Sequence, residues 1–289
     1  MTTAFVLSGG GSLGAVQVGM LAALADRGIR PDLLVGTSAG ALNAAFVAGH
    51  GADPSATAEL GRVWQSVRSR RLFHLQPQRA LLALIGQRPS VFSPDGLDEL
   101  IRGHLTFELL EDAPIPLTLV ASDLLTGEEV ALTRGPVRGA IAASCAIPGA
   151  FPPVEIDGRL LVDGALANNA ALSVAAELGA ERIFVLSTGY SCALSAPPRS
   201  ALGVLAQASA RLLHQRLVQD VRSFAGSAEL VVLPPPCPIR VSALDFRHAA
   251  ALAAAGRAAA GEWLDRQQGR AAVPGNVRAG EIALHVHRR

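Results

Sequence analysis

The sequence predicts an α/β protein, a three-layer α/β/α sandwich around a mostly parallel central sheet. Three observations carry that expectation. Short apolar runs alternate with helix-patterned stretches along most of the chain. Glycine-rich turns follow the first two of those runs, each opening a helix. A chain of 289 residues with 50% hydrophobic content can bury one large core, so the whole of 1–289 is read as a single unit.

The elements follow in order. Ala4-Phe5-Val6-Leu7 is a buried strand, and Gly9-Gly10-Gly11-Ser12-Leu13-Gly14 leads into a helix from Ala15 to Ala25, closed by Gly28. Pro31-Asp32 starts the strand Leu33-Leu34-Val35. Gly36-Thr37-Ser38-Ala39-Gly40 then turns into the helix Ala41 to Val47. Residues 55–110 read as helices and loops: Ala58 to Val67 is helical, and Asp95 caps a helix carrying Leu97, Leu100 and Ile101. The apolar stretch 72–92, broken by Pro77 and Pro89, reads first as ordinary core.

Residues 116–121 and 130–132 are two strands around a Thr126-Gly127 turn, and Val137 to Ser144 is a helix. A hairpin turned at Asp157-Gly158 returns through Arg159-Leu160-Leu161-Val162 to Asp163-Gly164-Ala165. Asn168 and Asn169 are placed to cap a helix from Ala170 to Leu178, which would free Asp163 for other work. Residues 182–187 and 230–233 are buried strands. The C-terminal part, about 199–268, is mainly helical, and a polar tail, 269–289, is expected to fray.

Composition excludes several classes. A net charge of +1 gives no electrostatic case for nucleic acid. All 25 Lys-plus-Arg residues are Arg, which removes a Walker P-loop, a Schiff-base lysine and a Ser–Lys dyad. Cys145, Cys192 and Cys237 are odd in number and widely spaced, so neither a disulfide framework nor a zinc site is expected. The uncharged first 25 residues lack a basic n-region and are cut by Ser8-Gly9-Gly10-Gly11-Ser12. No signal peptide or transmembrane segment is read, the expected location is cytoplasmic, and any membrane contact would be peripheral.

The chemistry gathers at three places. Strand, tight turn and helix with Ser38 at the apex form a nucleophile elbow. Gly36 and Gly40 are there because a Cβ at either position would strike a neighbouring strand or helix. Gly9-Gly10-Gly11 with Gly14 fits a dinucleotide fingerprint, but that fold needs an acid at the C-terminal end of the second strand. Asp32 lies at the strand's start. The crossover instead makes the two strands parallel neighbours, so the N–H groups of Gly9, Gly10 and Gly11 would face Ser38 as an oxyanion hole. A serine nucleophile needs a base. None of His50, His74, His104, His214, His248, His285 and His287 sits in a telling motif. His214 or His248 would fit the α/β-hydrolase order of Ser, acid, His, but in that fold several strands precede the elbow and here only one precedes Ser38, which makes Ser–His–Asp the minority reading. Asp163 acting directly on Ser38 remains, with partial burial raising its pKa.

With these pieces in place, the chain resembles the patatin-like phospholipase family. The resemblance rests on Gly9-Gly10-Gly11-Ser12-Leu13-Gly14, Gly36-Thr37-Ser38-Ala39-Gly40 and Asp163-Gly164-Ala165 in that order, with Ala143 to Val154 similar to a further family segment. It covers about residues 4–190. Two departures stand out: Leu13 where plant members usually have Arg, and Ala165 where others have Gly. The resemblance implies a lipid acyl hydrolase with Ser38 as nucleophile, Asp163 as base, water deacylating the enzyme, and neither metal nor cofactor. The substrate would be a phospholipid, lysophospholipid or other acyl ester. A lipid-binding or regulatory protein with little turnover, and a thioesterase or acyltransferase using the same acyl-enzyme, stay open as alternatives. The apolar stretch 72–92 also carries a second reading from its residues, a cap or interfacial element that receives an acyl chain. Neither the exact substrate nor the oligomeric state is readable.

Overall fold

A computed structural model describes residues 1–74, 76–267 and 277–279. The first half holds β1 (Thr3–Leu7), α1 (Gly14–Ala25), β2 (Leu33–Thr37), α2 (Ala39–His50), α3 (Pro54–Ser66), α4 (Ser69–Leu72), α5 (Pro77–Leu84), α6 (Asp95–Arg102), β3 (Leu117–Asp123), β4 (Glu129–Leu132) and α7 (Val137–Ser144). Then come β5 (Val154–Ile156), β6 (Arg159–Asp163), α8 (Ala165–Asn168), α9 (Leu172–Glu177), β7 (Arg182–Leu186), α10 (Ala201–Ser223), β8 (Glu229–Leu233), α11 (Ala249–Gln267) and β9 (Val277–Ala279).

The sheet runs β5-β6-β3-β2-β1-β7-β8-β9, with β4 also paired to β3. From β3 to β9 every pairing is parallel. The β3–β4, β3–β6 and β5–β6 pairings are antiparallel. This is the expected mostly parallel sheet, flanked by helices.

Why there are three layers is visible in the strand period. Successive side chains on a strand point to opposite faces. Phe5 and Leu7 of β1, Leu34 of β2, Phe184 and Leu186 of β7 and Val231 and Leu233 of β8 join one core with α1, α2, α3 and α11. Ala4 and Val6, Leu33 and Val35, Ile183 and Val185, and Leu230 and Val232 join the other, under α9 and the second half of α10. Each large apolar side chain taken fully out of water contributes about 1.5–3 kcal/mol. Strands buried on both faces therefore read as continuous apolar runs. Among the described residues no helix is long and apolar enough to cross a membrane.

Four expectations need correction. Asn168 and Asn169 do not cap α9, which starts at Leu172 with no side-chain cap; Asn168 ends α8, and Asn169 reaches elsewhere. Asp95 lies in the first turn of α6, after Pro94, and bonds the Ser93 hydroxyl instead of acting as N-cap. The tail is not wholly frayed, because Val277–Ala279 adds a parallel strand to β8; the other tail residues, with His285 and His287, lie outside the described residues. Finally, 72–92 is not uniformly core. Leu72 and Phe92 are buried, but α5 buries none of its residues, and Leu84 is 82% exposed.

Candidate active site

β1 and β2 pair in register, Val6 with Val35 and Leu7 with Gly36, so the loops leaving them begin side by side. The Gly36 and Gly40 requirement is steric, as expected. A Cβ on Gly40 would stand 2.0 Å from the Leu7 carbonyl oxygen, and one on Gly36 would stand 2.7 Å from the Gly40 carbonyl oxygen. Gly14 meets the same limit against the Trp64 ring at 2.7 Å. Between the two elbow glycines Ser38 is held at φ 54°, a conformation that side chains rarely adopt.

Asp163 arrives from the opposite direction. β6 runs antiparallel to β3, and Asp163 pairs with Ala121, one residue beyond Val120, which pairs with Thr37. The carboxylate is thereby set level with the elbow. Ser38 Oγ donates to Asp163 Oδ2 at 2.6 Å, both residues being buried. The other oxygen, Oδ1, accepts the Ala165 N–H at 2.9 Å at the start of α8. Asp163 was expected to be free of capping; it does both tasks, one with each oxygen. The Ala165 bond fixes the carboxylate plane so that Oδ2 faces the hydroxyl. Gly164 allows this turn, since a Cβ there would lie 2.0 Å from the Val120 carbonyl oxygen. Burial pushes the Asp163 carboxyl up to about 6, opposed by the hydrogen bonds from Ser38 and Ala165.

The glycine loop differs from expectation in one detail. The Gly9 N–H donates to Asn169 Oδ1 at 2.9 Å and so does not face Ser38 as a donor. Gly9 is needed for close approach, as its Cβ would stand 2.9 Å from the Ser38 Cβ. Thr188 Oγ1 donates to the Gly9 carbonyl at 2.7 Å, and Gln17 Nε2 donates to the carbonyls of Ser8 and Leu186, both at 2.8 Å. These bonds fix the loop where it leaves β1. Gly10 and Gly11 make no N–H hydrogen bond among the described residues, and both line a cavity with Ser38 and Asp163.

Sequence reasoning missed the residues that brace the elbow. Ser38 N–H donates to Ser144 Oγ at 2.9 Å, Ser144 in turn donates to the Val120 carbonyl at 2.6 Å, and Cys145 Sγ donates to the Ser38 carbonyl at 3.2 Å. Burial and the Asp163 charge hold the Cys145 thiol well above its ordinary value, so it is a packing group. Ser144 and Cys145 lie in a stretch already singled out by resemblance, which was the only signal. The sulfurs of Cys192 and Cys237 lie 3.6 Å apart, a proximity that sequence spacing did not suggest.

Two cavities meet at Ser38. One, about 80 Å³, runs inward between Leu42, Phe46, Trp64, Leu97 and Ile101, with His104 on its wall. Burial holds His104 below its ordinary value. The other, about 290 Å³, opens under the first half of α10 and includes Asp163, Leu166 and Thr188. Among the described residues no imidazole hydrogen-bonds Ser38. No cluster of three or more His, Cys, Asp or Glu there could hold a metal.

The fold and this site define a class: an α/β/α sandwich with a serine at a strand–helix elbow beside a glycine loop. The sequence matches the patatin-like phospholipase family over residues 5–176, and the chain belongs to that family. It is 31% identical over 281 residues to an uncharacterized NTE family protein of Mycobacterium tuberculosis, covering 91% of this chain and 46% of that protein. Mouse (Mus musculus) patatin-like phospholipase domain-containing protein 7 is 30% identical over 188 residues, 64% of this chain and 13% of that protein. The chain thus spans about half the length of the mycobacterial relative, at 46%. Among solved structures, VipD from Legionella pneumophila shares the fold with a TM-score of 0.52 at 14% identity, covering 92% of this chain and 67% of that one.

Proposed function

We propose that residues 1–289 act as one serine acyl hydrolase unit on lipid esters, through a Ser38–Asp163 dyad. The observation that carries this is the 2.6 Å bond from Ser38 Oγ to Asp163 Oδ2, at the junction of two largely apolar cavities. Ser38 Oγ attacks the ester carbonyl and its proton passes to Oδ2. The Gly10 and Gly11 N–H groups receive the oxyanion, and each donor of this kind is worth about 2.7–4 kcal/mol of barrier. Asp163 returns the proton to the leaving alcohol. A water then repeats the cycle on the acyl-enzyme. A carboxyl near 6 is mostly ionised at neutral pH, yet far more basic than an ordinary aspartate. No cofactor enters these steps. The inner cavity suits an acyl chain, and the wider one suits the rest of the lipid, met from the aqueous side of a membrane.

The test is hydrolysis of a short p-nitrophenyl ester and labelling by a fluorophosphonate. The wild type should turn over and label at Ser38. Ser38→Ala and Asp163→Asn should each lose about 10³-fold or more in kcat/KM while remaining folded. Full activity in either variant would remove the dyad. Absence of both labelling and turnover on any ester or thioester would leave a lipid binder. Product transfer to an added alcohol would favour an acyltransferase.

A further inference from the structure

The net charge of +1 conceals a strong asymmetry. From Gly61 to Pro94 the chain carries Arg62, Arg68, Arg70, Arg71, Arg79 and Arg88 and no Asp or Glu. From Ile183 to Gln219 it carries Arg199, Arg211 and Arg216 with no acid, and of these Arg216 reaches Asp220, just beyond, at 3.8 Å. Among the described residues none of the first six has a carboxylate within ion-pair reach, and Arg79 instead donates to the Ser90 hydroxyl. The carboxylate on the adjoining 240–248 loop, Asp245, is already held by Arg247 at 2.7 Å.

Both segments border the mouth of the wider cavity. Phe73, just before α5, lines both cavities. After α5, Ser90 bridges to Gly149, next to the cavity residue Pro148. On the other side the first half of α10 lines the same opening. The apolar side chains here are turned outward: Leu81 and Ile85 beside Leu84 on or next to α5, and Leu205 and Leu212 on α10. Leu166 and Leu205 are more than half exposed yet line the cavity itself. Exposed leucines beside the six arginines of 61–94, none of them ion-paired among the described residues, match a surface that is apolar beneath an anionic layer.

We propose that α5 with the flanking Arg70, Arg71 and Arg88, together with the first half of α10, seats this protein on an anionic lipid surface, with the cavity mouth toward the headgroups. The leucines enter the boundary of the acyl chains and the guanidinium groups pair with lipid phosphates and carboxylates. The inference rests on the lipid hydrolase reading, but its test does not depend on turnover.

The test is co-sedimentation of the whole chain, carrying Ser38→Ala, with phosphatidylcholine vesicles with and without 30% phosphatidylserine. Binding should be about tenfold or more tighter to the anionic vesicles at 0.1 M salt and should fall toward the neutral level at 0.5 M. The triple variant R70Q/R71Q/R88Q should lose that preference with its thermal midpoint unchanged. L84D should weaken binding about tenfold to both vesicle types. Equal binding to both types, or an intact preference in the triple variant, would overturn the proposal. So would a dimer in solution that L84D returns to monomer while no vesicle binds, since a second copy would then cover this face. Failure of Ser38→Ala to lose esterase activity would strike the hydrolase reading and leave the vesicle result standing.

Discussion

At the floor of the Ser38 cavity, Gly36, Gly40 and Gly164 each face a backbone oxygen 2.0–2.7 Å from where a Cβ would stand. At the rim, α5 has no fully buried residue. The floor is a set of close backbone crossings in which few residue types fit. The rim is a set of outward side chains that can change without touching the core. Positioning of Ser38 and Asp163 and contact with the surroundings are therefore set by separate residues, under different physical limits.

Breaking the floor should have the largest effect. Gly40→Ala must push the Leu7 carbonyl away and is expected to cost about 3 kcal/mol or more, with a thermal midpoint lower by roughly 5 °C or more by calorimetry. Asp163→Asn, inactive as above, should instead gain stability at pH 8. The folded carboxyl titrates near 6 and the unfolded one near its ordinary 3.8, so the native state holds its proton longer. Stability from this group is present below the unfolded value and is lost as pH rises through about 6. The neutral amide escapes that loss and should be more stable by about 1–3 kcal/mol at pH 8 in urea unfolding, the gap closing near pH 4. The same titration should give kcat/KM an acid limb, falling about tenfold per pH unit below about 6; a profile flat down to pH 4 would remove Asp163 as the base. The smallest effect belongs to the rim: Leu84→Gln should shift folding stability by less than about 0.5 kcal/mol.

That contrast also explains what was legible in the sequence. The β1–α1–β2–α2 unit could be read almost residue by residue, because glycine spacing there reports steric contacts within about forty residues. The Asp163 turn was legible as an acid at a strand end, but not its double bonding, which depends on β6 running back along β3. Asn169 and Ser144 were not legible in their observed tasks. Their partners, Gly9 and Ser38, lie 160 and 106 residues away, and an amide or hydroxyl in an alanine-rich stretch announces no partner. The apolar stretch around Leu81, Leu84 and Ile85 reads as core by composition alone, since hydropathy says nothing about which apolar residues find cover.

Ser144 carries one more consequence. Its side chain has claimed the amide hydrogen of Ser38 itself. A carbonyl seated here would on our reading be struck by one stretch of polypeptide and stabilised by another, Gly10 and Gly11, that shares no peptide bond with it. Small displacements of the first loop, transmitted through Gln17 or Thr188, could then slow the chemistry while leaving the hydroxyl and its carboxylate untouched. Inactive relatives would on that account be recognised by changes around residue 10, even where serine and aspartate persist.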